Sequence, residues 1–317
     1  APSMGFLSAY RNVGSVSNSG LELTIDTKNI QTKEFSWTSS FNISFNRNKV
    51  LSLNDDEPSL ASRVNWGNFN NAYPYIAIPG HPIAMFYGHI FDGVYQYTDF
   101  DKVGESYILK DGVPNNGNAR EKIQPGDIKF KDISRDGVVN DYDLTIIGNP
   151  NPKHIGGFGN NFQYKNFDLN VFFQWSYGGD VLNANRIEFE GGDPNARTSL
   201  NMFASFANRW TPENQTNELY RIGGQGPAVY SSRTIEDGSF LRLKTVSLGY
   251  RLPNAWLKKI NIKSLRVYAS AQNLITWTRY SGPDPEVSTR PTALTPSFDW
   301  SPYPRPRTLT LGVDISF

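Results

Sequence analysis

The sequence predicts an all-β protein, an antiparallel transmembrane β-barrel with long extracellular loops. Several segments alternate apolar and polar residues, as strands with two different faces require. The polar face of these segments is rich in Ser, Thr and Asn rather than Lys and Glu, which suits a wet lumen. Short turns and long Gly-, Asn- and Pro-rich excursions follow one another along the chain, which is typical of outer-membrane barrels.

Composition agrees with an envelope protein and argues against other classes. The chain has 317 residues, of which 14% are aromatic and 19% charged, below the roughly 25% charged residues of soluble domains. Its net charge of +1 gives no electrostatic case for a nucleic-acid partner. The absence of Cys removes disulfides and thiolate metal sites. No segment approaches the ~18 apolar residues of a membrane helix, a test that does not detect short alternating strands.

The first predicted strand pair occupies 20–26 and 35–46, joined by a polar connection over 27–34. The polar face of the second strand consists of Ser, Thr and Asn and carries no charge. Its apolar face consists of Phe35, Trp37, Phe41, Ile43 and Phe45, with Ser39 as the one small member. This length and alternation are those of a barrel strand.

Residues 47–154 interrupt the alternation and predict a large extracellular loop region. Asn, Gly, Pro and Asp are dense here, and strand-like pieces occur only near 86–97 and 128–130. A structureless connection of this length is uncommon in a compact domain. We therefore expect a large external loop region, or a loop with one extra strand pair.

Alternation returns in a predicted hairpin over 157–164 and 167–177, with the two-residue turn Lys165-Asn166 between them. Phe172 is an exception, because it is an aromatic residue on the polar face. After the excursion 178–237, further strands are predicted as follows: 240–252, 265–277 and, after a Pro-rich excursion over 279–307, the last ten residues. The alternation changes phase near Leu243 and Lys244, which predicts a β-bulge.

The last strand, 308–317, alternates without a break and ends on Phe317, which we expect to act as a C-terminal barrel-assembly signal. The periodic segments number about seven, too few to close a barrel with loops this long. We therefore expect 1–317 to be the C-terminal part of a larger barrel, with about 22 strands. Ala1 is not followed by a signal segment, so we expect either a mature end or a start within a longer chain.

Several motifs together resemble the SusC/RagA-like TonB-dependent outer-membrane transporters of Bacteroidetes-type bacteria. They are IEDGSFLRLK (235–244) with LGYRLP (248–253), NVG (12–14) with NSGLE (18–22), GHPI (80–83) with FYG (86–88), RWTPEN (209–214), YSG (280–282) with DPE (284–286), and YP (303–304) with RT (307–308). Each motif is short, but their order and the terminal Phe317 match the family over nearly the whole chain.

The resemblance implies TonB-linked import of oligosaccharides or peptides across the outer membrane, without enzymatic activity. It also implies a SusD-like surface lipoprotein as partner, and coupling to TonB/ExbB/ExbD through an N-terminal part with a plug domain that has no counterpart here. Two other classes stay open from the residues alone. One is a secreted β-rich glycan-binding or glycan-degrading protein, and the other is a passive porin or structural subunit of the envelope.

A loop from Asp132 to Asp143 has the spacing of a calcium site. Counted from Asp132, oxygen side chains fall at positions three, five and twelve, and Gly137 is at the sharp turn. The expected ligands are Asp132, Ser134, Asp136, Asp143 and the carbonyl oxygen of Val138. Neutral Ser134 and the short Asp143 depart from the usual pattern, and an Asp/Gly turn without an ion is the alternative. We expect a structural rather than catalytic Ca²⁺.

Aromatic loop residues are candidates for substrate contact, because their rings can stack on sugars or clamp a peptide. The candidates are Trp66, Tyr73, Trp210, Trp300 and Tyr303. Packing within a loop, or a place at the level of the lipid headgroups, is the alternative for each. Glu188, Glu190 and Asp193 could suggest glycoside hydrolysis, but we favour a solvated loop, because sequence spacing does not set the separation of their carboxylates. The three His show no spacing typical of a zinc site or catalytic triad.

Overall fold

The computed structural model describes residues 14–54, 57–64, 72–191, 201–227, 230–257, 261–290 and 292–317. Its helices are short, α1 (Asn185–Glu190) and α2 (Asn254–Leu257). No helix in these ranges has the length and apolar character needed to cross a membrane. In chain order the strands are β1 (Gly14–Gln31), β2 (Phe35–Leu53), β3 (Leu60–Ser62), β4 (Tyr75–Ala77), β5 (Met85–Gly88), β6 (Phe91–Val94), β7 (Phe100–Val103), β8 (Ser106–Leu109), β9 (Ile128–Phe130), β10 (Thr145–Gly148), β11 (His154–Tyr164), β12 (Phe167–Tyr177), β13 (Asp180–Asn183), β14 (Ile235–Asp237), β15 (Phe240–Arg251), β16 (Ser264–Thr278), β17 (Phe298–Asp299) and β18 (Thr308–Ser316).

Seven long strands form one sheet in the order β1-β2-β11-β12-β15-β16-β18, and all neighbours are antiparallel. These are the strands that alternation in the sequence predicts, in the predicted order. The predicted bounds were wrong for the first two, because β1 runs to Gln31 and β2 to Leu53. Pairing continues there through polar residues, as in Arg47 opposite Ser19. Backbone hydrogen bonding, which needs no apolar side chain, extends both strands.

The register of the sheet aligns residues of one character across all seven strands. One apolar row consists of Ile30, Trp37, Phe162, Leu169, Leu248, Ala269 and Leu311. A polar row on the opposite face consists of Lys28, Thr38, Asn161, Asn170, Ser247, Ser270 and Thr310. The alternation along each strand thereby becomes two continuous faces of the sheet.

The apolar face of the sheet is open to its surroundings. Leu311 is 87% exposed, and Leu248 and Val267 are about half exposed. An apolar surface of this extent is unfavourable in water but suits acyl chains. The observed exposure supports a barrel wall and argues against the second, covering layer of a soluble sandwich.

Two local predictions for the sheet are confirmed. Lys165 has a φ of 51°, so the Lys165-Asn166 hairpin uses the left-handed conformation that two-residue turns require. The pairing of β12 with β15 shifts between Phe172 and Phe173, so Lys244 is the extra residue of a bulge.

The described parts of 47–154 form compact structure rather than a structureless loop. β10, β5, β4 and β3 make a four-stranded sheet, and β6 pairs with β9 and β7 with β8. The first hydrophobic cluster joins this region to later segments, and its buried members are Val64, Tyr75, Ala84, Phe86, Leu182, Ala184 and Phe298. The second consists of Val94, Ile128, Phe130, Val139, Trp210, Leu219 and Tyr220. We call the structure around these two clusters the loop body.

Candidate functional site

The polar face of the sheet forms one wall of a cleft of about 690 Å³. The opposite wall comes from the segment between β16 and β18, which folds back over the sheet. The side chains that line the cleft include Asn42, Ser44, Phe172, Gln174, Glu286 and Ser288. The volume lies within the range of ligand clefts, and amides, hydroxyls and carboxylates can orient a bound molecule through hydrogen bonds.

Phe172, the aromatic exception on the polar face, lies against two glycines of β11. A Cβ atom at Gly157 would be 2.8 Å from the Phe172 ring, and one at Gly159 would be 3.6 Å from it. Any side chain at Gly157 would therefore displace the ring. Sequence analysis identified Phe172 as unusual, but only the paired strand explains how the ring fits along the wall.

Arg242 attaches the covering segment to the sheet. Its buried guanidinium donates hydrogen bonds to Asp284 at 2.6 Å and to Glu286 at 2.7 Å. Its Nε also donates to the Thr276 hydroxyl at 3.0 Å. Arg305 approaches the same two carboxylates at 3.1 and 2.7 Å. Two guanidinium groups thus balance two carboxylates, which offsets the cost of burying the charges.

A second polar network holds the same segment against the loop body. The Tyr280 hydroxyl donates to the Asp299 carboxylate, and Asn185 donates to the other oxygen at 2.8 Å. Burial raises the pKa of Asp299, and the hydrogen bonds from Tyr280 and Asn185 oppose that rise. The Tyr75 hydroxyl donates to the Pro296 carbonyl at 2.7 Å. Hydrogen bonds and ion pairs therefore hold the covering segment to the sheet on one side and to the loop body on the other.

Backbone N–H groups of the predicted calcium loop donate hydrogen bonds to the carboxylates of the same loop. Asp143 is fully buried and accepts hydrogen bonds from the N–H groups of Ile133, Ser134 and Asn140 at 2.8 to 2.9 Å. Burial alone would raise the pKa of Asp143, but these backbone donors outweigh it and hold the pKa below its ordinary value. Asp132 accepts the N–H groups of Arg135 and Gly137.

The donor set of this loop does not fit a calcium ion closely. Asp136 accepts the Val138 N–H at 2.8 Å. The carboxylates of Asp132, Asp136 and Asp143 therefore each accept at least one hydrogen bond from a backbone N–H. Within the described ranges, no three Asp, Glu or His side chains converge as metal ligands. The hydrogen bonds explain the Asp/Gly pattern without an ion, and the calcium site stays a prediction.

The aromatic residues predicted to contact substrate differ in how far they are buried. Trp210 is 4% exposed and donates its indole N–H to Gln96 at 3.0 Å, so its ring serves the second hydrophobic cluster. Trp300 packs against the first cluster and stacks on Phe189 at 6.4 Å. Tyr73 is about half exposed and Tyr303 is 91% exposed. Trp66 lies outside the described residues.

The acidic residues near α1 form an ion-pair cluster. Glu190 accepts hydrogen bonds from Ser205 at 2.7 Å, Arg186 at 2.9 Å and Arg233 at 2.5 Å. Burial alone would raise the pKa of Glu190, but Ser205 and the two arginines lower it further than burial raises it. A carboxylate held ionised between two arginines is a poor general acid. Asp193 lies outside the described residues.

Comparisons with known proteins agree with these features. TonB-dependent receptor P3 of Formosa agariphila is 35% identical over 318 residues, which are 99% of this chain and 30% of that protein. TonB-dependent receptor SusC of Bacteroides thetaiotaomicron is 29% identical over 97% of this chain and 27% of its own length. No model of a known protein family matches the chain.

Solved structures show the same fold. The RagAB peptide transporter superimposes with a TM-score of 0.73 and 26% identity, over all of this chain and 31% of that one. The RagAB peptide importer in its 'open-open' state gives 0.70. The chain is similar over nearly its whole length to SusC/RagA-like TonB-dependent receptors. The sequence-based predictions of a resemblance to this family and of an antiparallel outer-membrane barrel fold are confirmed.

The chain spans about 30% of the length of the curated receptors that it matches.

The sequence alone did not predict the role of Arg242, the most deeply buried charged side chain of the seven-stranded sheet. The only signal was the motif at 284–286, which supplies its two carboxylate partners. A buried Arg cannot be distinguished from a solvated one without knowing which loop folds back over it.

Proposed function

We propose that the receptor imports large nutrients, oligosaccharides or peptides, across the outer membrane. The observation that carries this proposal is the two-faced sheet, with an apolar face for acyl chains and a polar face lined with hydroxyls and amides. The names of its relatives and structural neighbours, among them a peptide importer, support transport. The chain would act as wall and conduit, and no bond in the nutrient would be broken.

The cleft beside Phe172 is the part of this wall that we assign to contact with the nutrient. It combines the Phe172 ring with neutral hydrogen-bonding groups such as Asn42, Ser44 and Gln174. A flat apolar patch on a sugar or peptide could pack on the ring, while its polar groups exchange hydrogen bonds with the amides. Contacts of this kind orient a passing molecule without trapping it.

We assign two partners to the complete protein from its resemblance to SusC and RagAB. A SusD-like surface lipoprotein would cover the extracellular loops, and TonB/ExbB/ExbD would supply energy through the N-terminal part. The loop body supports the first of these assignments, because its hydrophobic clusters give the extracellular side a rigid surface for docking.

Uptake by cells tests this proposal. A strain that lacks the receptor gene is complemented with the complete wild-type gene, and growth on single oligosaccharides or peptides is measured. We expect growth on one class of large nutrient to depend on the receptor and to stop when the proton-motive force is dissipated. Uptake that persists without it would indicate a passive porin. Growth that is the same with and without the gene would reject import.

A matched pair of variants tests the cleft. Phe172→Ala removes the ring, and Gly157→Ala displaces it, so both should reduce uptake at low nutrient concentration. Thr310→Ala changes the same polar face in another strand and should leave uptake unchanged. Surface labelling of the receptor would show equal amounts of each variant. Wild-type uptake by both cleft variants would exclude this contact without affecting the import proposal.

A further inference from the structure

Aromatic side chains cluster on the outer face of the sheet at its loop end. The His154 ring stacks on Tyr177 at 5.1 Å and contacts Phe45 at 5.5 Å. Trp277 is near the end of β16, and about half of its surface and of that of Tyr177 is exposed. Exposed aromatic rings beside an apolar band are typical of the level where acyl chains meet headgroups.

The length of the strands places this cluster at that level. β12 runs for 11 residues from Phe167 to Tyr177. At about 3.4 Å per residue and a tilt of about 45°, such a strand crosses about 25 Å, the height of the apolar band in outer-membrane barrels. Phe167 and Tyr250 contact each other at the opposite end, with ring centroids 4.6 Å apart. The two ends of β12 therefore mark the two membrane interfaces.

A groove of about 650 Å³ opens within the loop-end cluster. It lies between the ends of β11 and β12 on one side and those of β15 and β16 on the other. The groove is lined mainly by His154, Trp175, Tyr177, Leu241, Trp277 and Arg279. Several of these residues are apolar or aromatic, and Arg279 lies just beyond the last residue of β16. A ligand that fits must combine an apolar chain with an anionic end.

Three exposed cations lie at the loop end of the sheet, and one of them, Arg279, lines the groove. Arg279, Lys153 and Arg47 are exposed, and within the described ranges none of them has an ion pair. Lys153 Nζ lies 5.8 Å from the centre of the Tyr177 ring, and Arg47 donates to the Lys153 carbonyl at 2.9 Å. The opposing charge in the groove is Asp237, which accepts the Ser239 N–H at 2.9 Å.

Some cations at the turn end of the sheet are paired within the chain. Lys165, beside the two-residue turn, pairs with Glu34 at 3.3 Å. Arg266 on the polar face pairs with Asp168 at 2.6 Å and with Asp314 at 3.3 Å. At the loop end, Arg279 lines the groove without such a pair among the described residues, so its charge is available to a ligand.

We infer that the groove binds an anionic lipid of the outer membrane. The phosphate of the headgroup would lie between Arg279 and Lys153, and an acyl chain would run along Trp277 and Leu241 toward the apolar band. Basic groups at a membrane surface attract anionic headgroups, and aromatic rings favour the same level. The inference rests on the outer-membrane location of the receptor and not on what it imports.

Lipid titration of the complete receptor in detergent tests the site. Dioleoylphosphatidylglycerol is the anionic probe, dioleoylphosphatidylcholine is the zwitterionic control, and native mass spectrometry counts the bound lipids. We expect the anionic lipid to bind more tightly. Each of the substitutions Arg279→Gln and Lys153→Gln should weaken its binding about five-fold, so the double variant should lose about twenty-five-fold.

Two single variants sharpen the test. Asp237→Asn removes the opposing charge but keeps an oxygen for Ser239, so it should tighten binding of the anionic lipid about five-fold. Lys102→Gln removes a cation of the loop body, where Lys102 lies over the Tyr107 ring, and should change nothing. Resistance to sodium dodecyl sulfate without heating would confirm that each variant keeps its barrel.

Three results would overturn the inference. The double variant could bind the anionic lipid as tightly as wild type, or wild type could bind both lipids equally. The same spectra report subunit mass, so a change in oligomeric state with unchanged lipid binding would make this face a protein interface. None of these results would bear on nutrient import, which cell growth measures separately.

Discussion

The seven-stranded sheet and the loop body differ in where their apolar residues lie: on the outer surface of the sheet, but in the interior of the loop body. In the loop body, Tyr75, Phe86 and Phe130 are essentially inaccessible, as in a soluble domain. In the sheet, Leu248 and Leu311 point outward and are exposed, while the opposite, polar face forms a wall of the cleft. The same residue types thus follow two rules in one chain. The difference shows that the surrounding medium, bilayer or water, decides which side of a strand is apolar.

Arg242 joins the two regions, and its loss should have the largest effect. Arg242→Met leaves the buried Asp284 and the partly buried Glu286 without their main partner, which should cost about 4–5 kcal/mol in the stability of the covering segment. Limited proteolysis within 279–307 would detect the release. The control is Arg305→Met, because the Arg305 side chain is 44% exposed and its ion pairs should contribute about 1 kcal/mol or less. Equal protection of both variants would contradict the role of Arg242.

Truncation of one Phe in each region compares the two environments directly. Phe86→Ala opens a cavity in the first hydrophobic cluster and should cost about 3–4 kcal/mol. Phe158→Ala acts on the outer face, where Phe158 is partly exposed and acyl chains can fill the space, so we expect about 1 kcal/mol. Thermal unfolding in detergent measures both. Similar losses would mean that the outer face is packed like a core.

Neighbouring residues of β15 test the direction of the two faces. Val246 pairs with Val171 near the middle of β12, and Ser247 belongs to the polar row. Val246→Arg should place a charge among acyl chains at a cost of about 2–4 kcal/mol, whereas Ser247→Arg should be tolerated in the lumen. Urea unfolding of the receptor in lipid vesicles gives both values. The opposite order would reverse the assignment of inside and outside.

Asp143 gives the loop body a dependence on pH. Its folded-state pKa lies below the ordinary value, so its contribution to stability is complete above the ordinary pKa of a carboxyl group. That contribution is lost as the pH falls through the lowered pKa, because a protonated carboxyl is a poorer acceptor. Asp143→Asn should cost about 1–3 kcal/mol at neutral pH and remove this acid-sensitive part of the stability. Thermal unfolding followed over the acid range checks the sign, and parallel pH profiles would contradict it.

Calcium should have the smallest effect, because the carboxylates of its predicted loop already accept backbone N–H groups. If the predicted site binds an ion, calorimetric titration of Ca²⁺ into the folded protein should give heat that Asp136→Ala abolishes. Asp136 is the exposed member of the set, so its replacement disturbs the fold least. Identical traces for both proteins would reject the calcium prediction.

Alternation in the sequence predicted the sheet well because it is a local property with a period of two residues. Every predicted strand is present, and the change of phase near Lys244 is the observed bulge. The same logic could not predict the loop body. Its strands have only two to four residues, too few for a period to emerge, and their cluster is completed by Leu182 and Phe298, far along the chain.

The sequence by itself determined which residues share a face, the hairpin turn at Lys165, and the family resemblance, since these depend on neighbours along the chain. Only the tertiary structure decided that the Trp210 ring is buried in the loop body, that Gly157 makes room for Phe172, and that Arg242 holds the covering segment. Each of these outcomes depends on a partner that lies distant in sequence. The free energy of a buried ring or charge is set by that partner, and no short segment contains it.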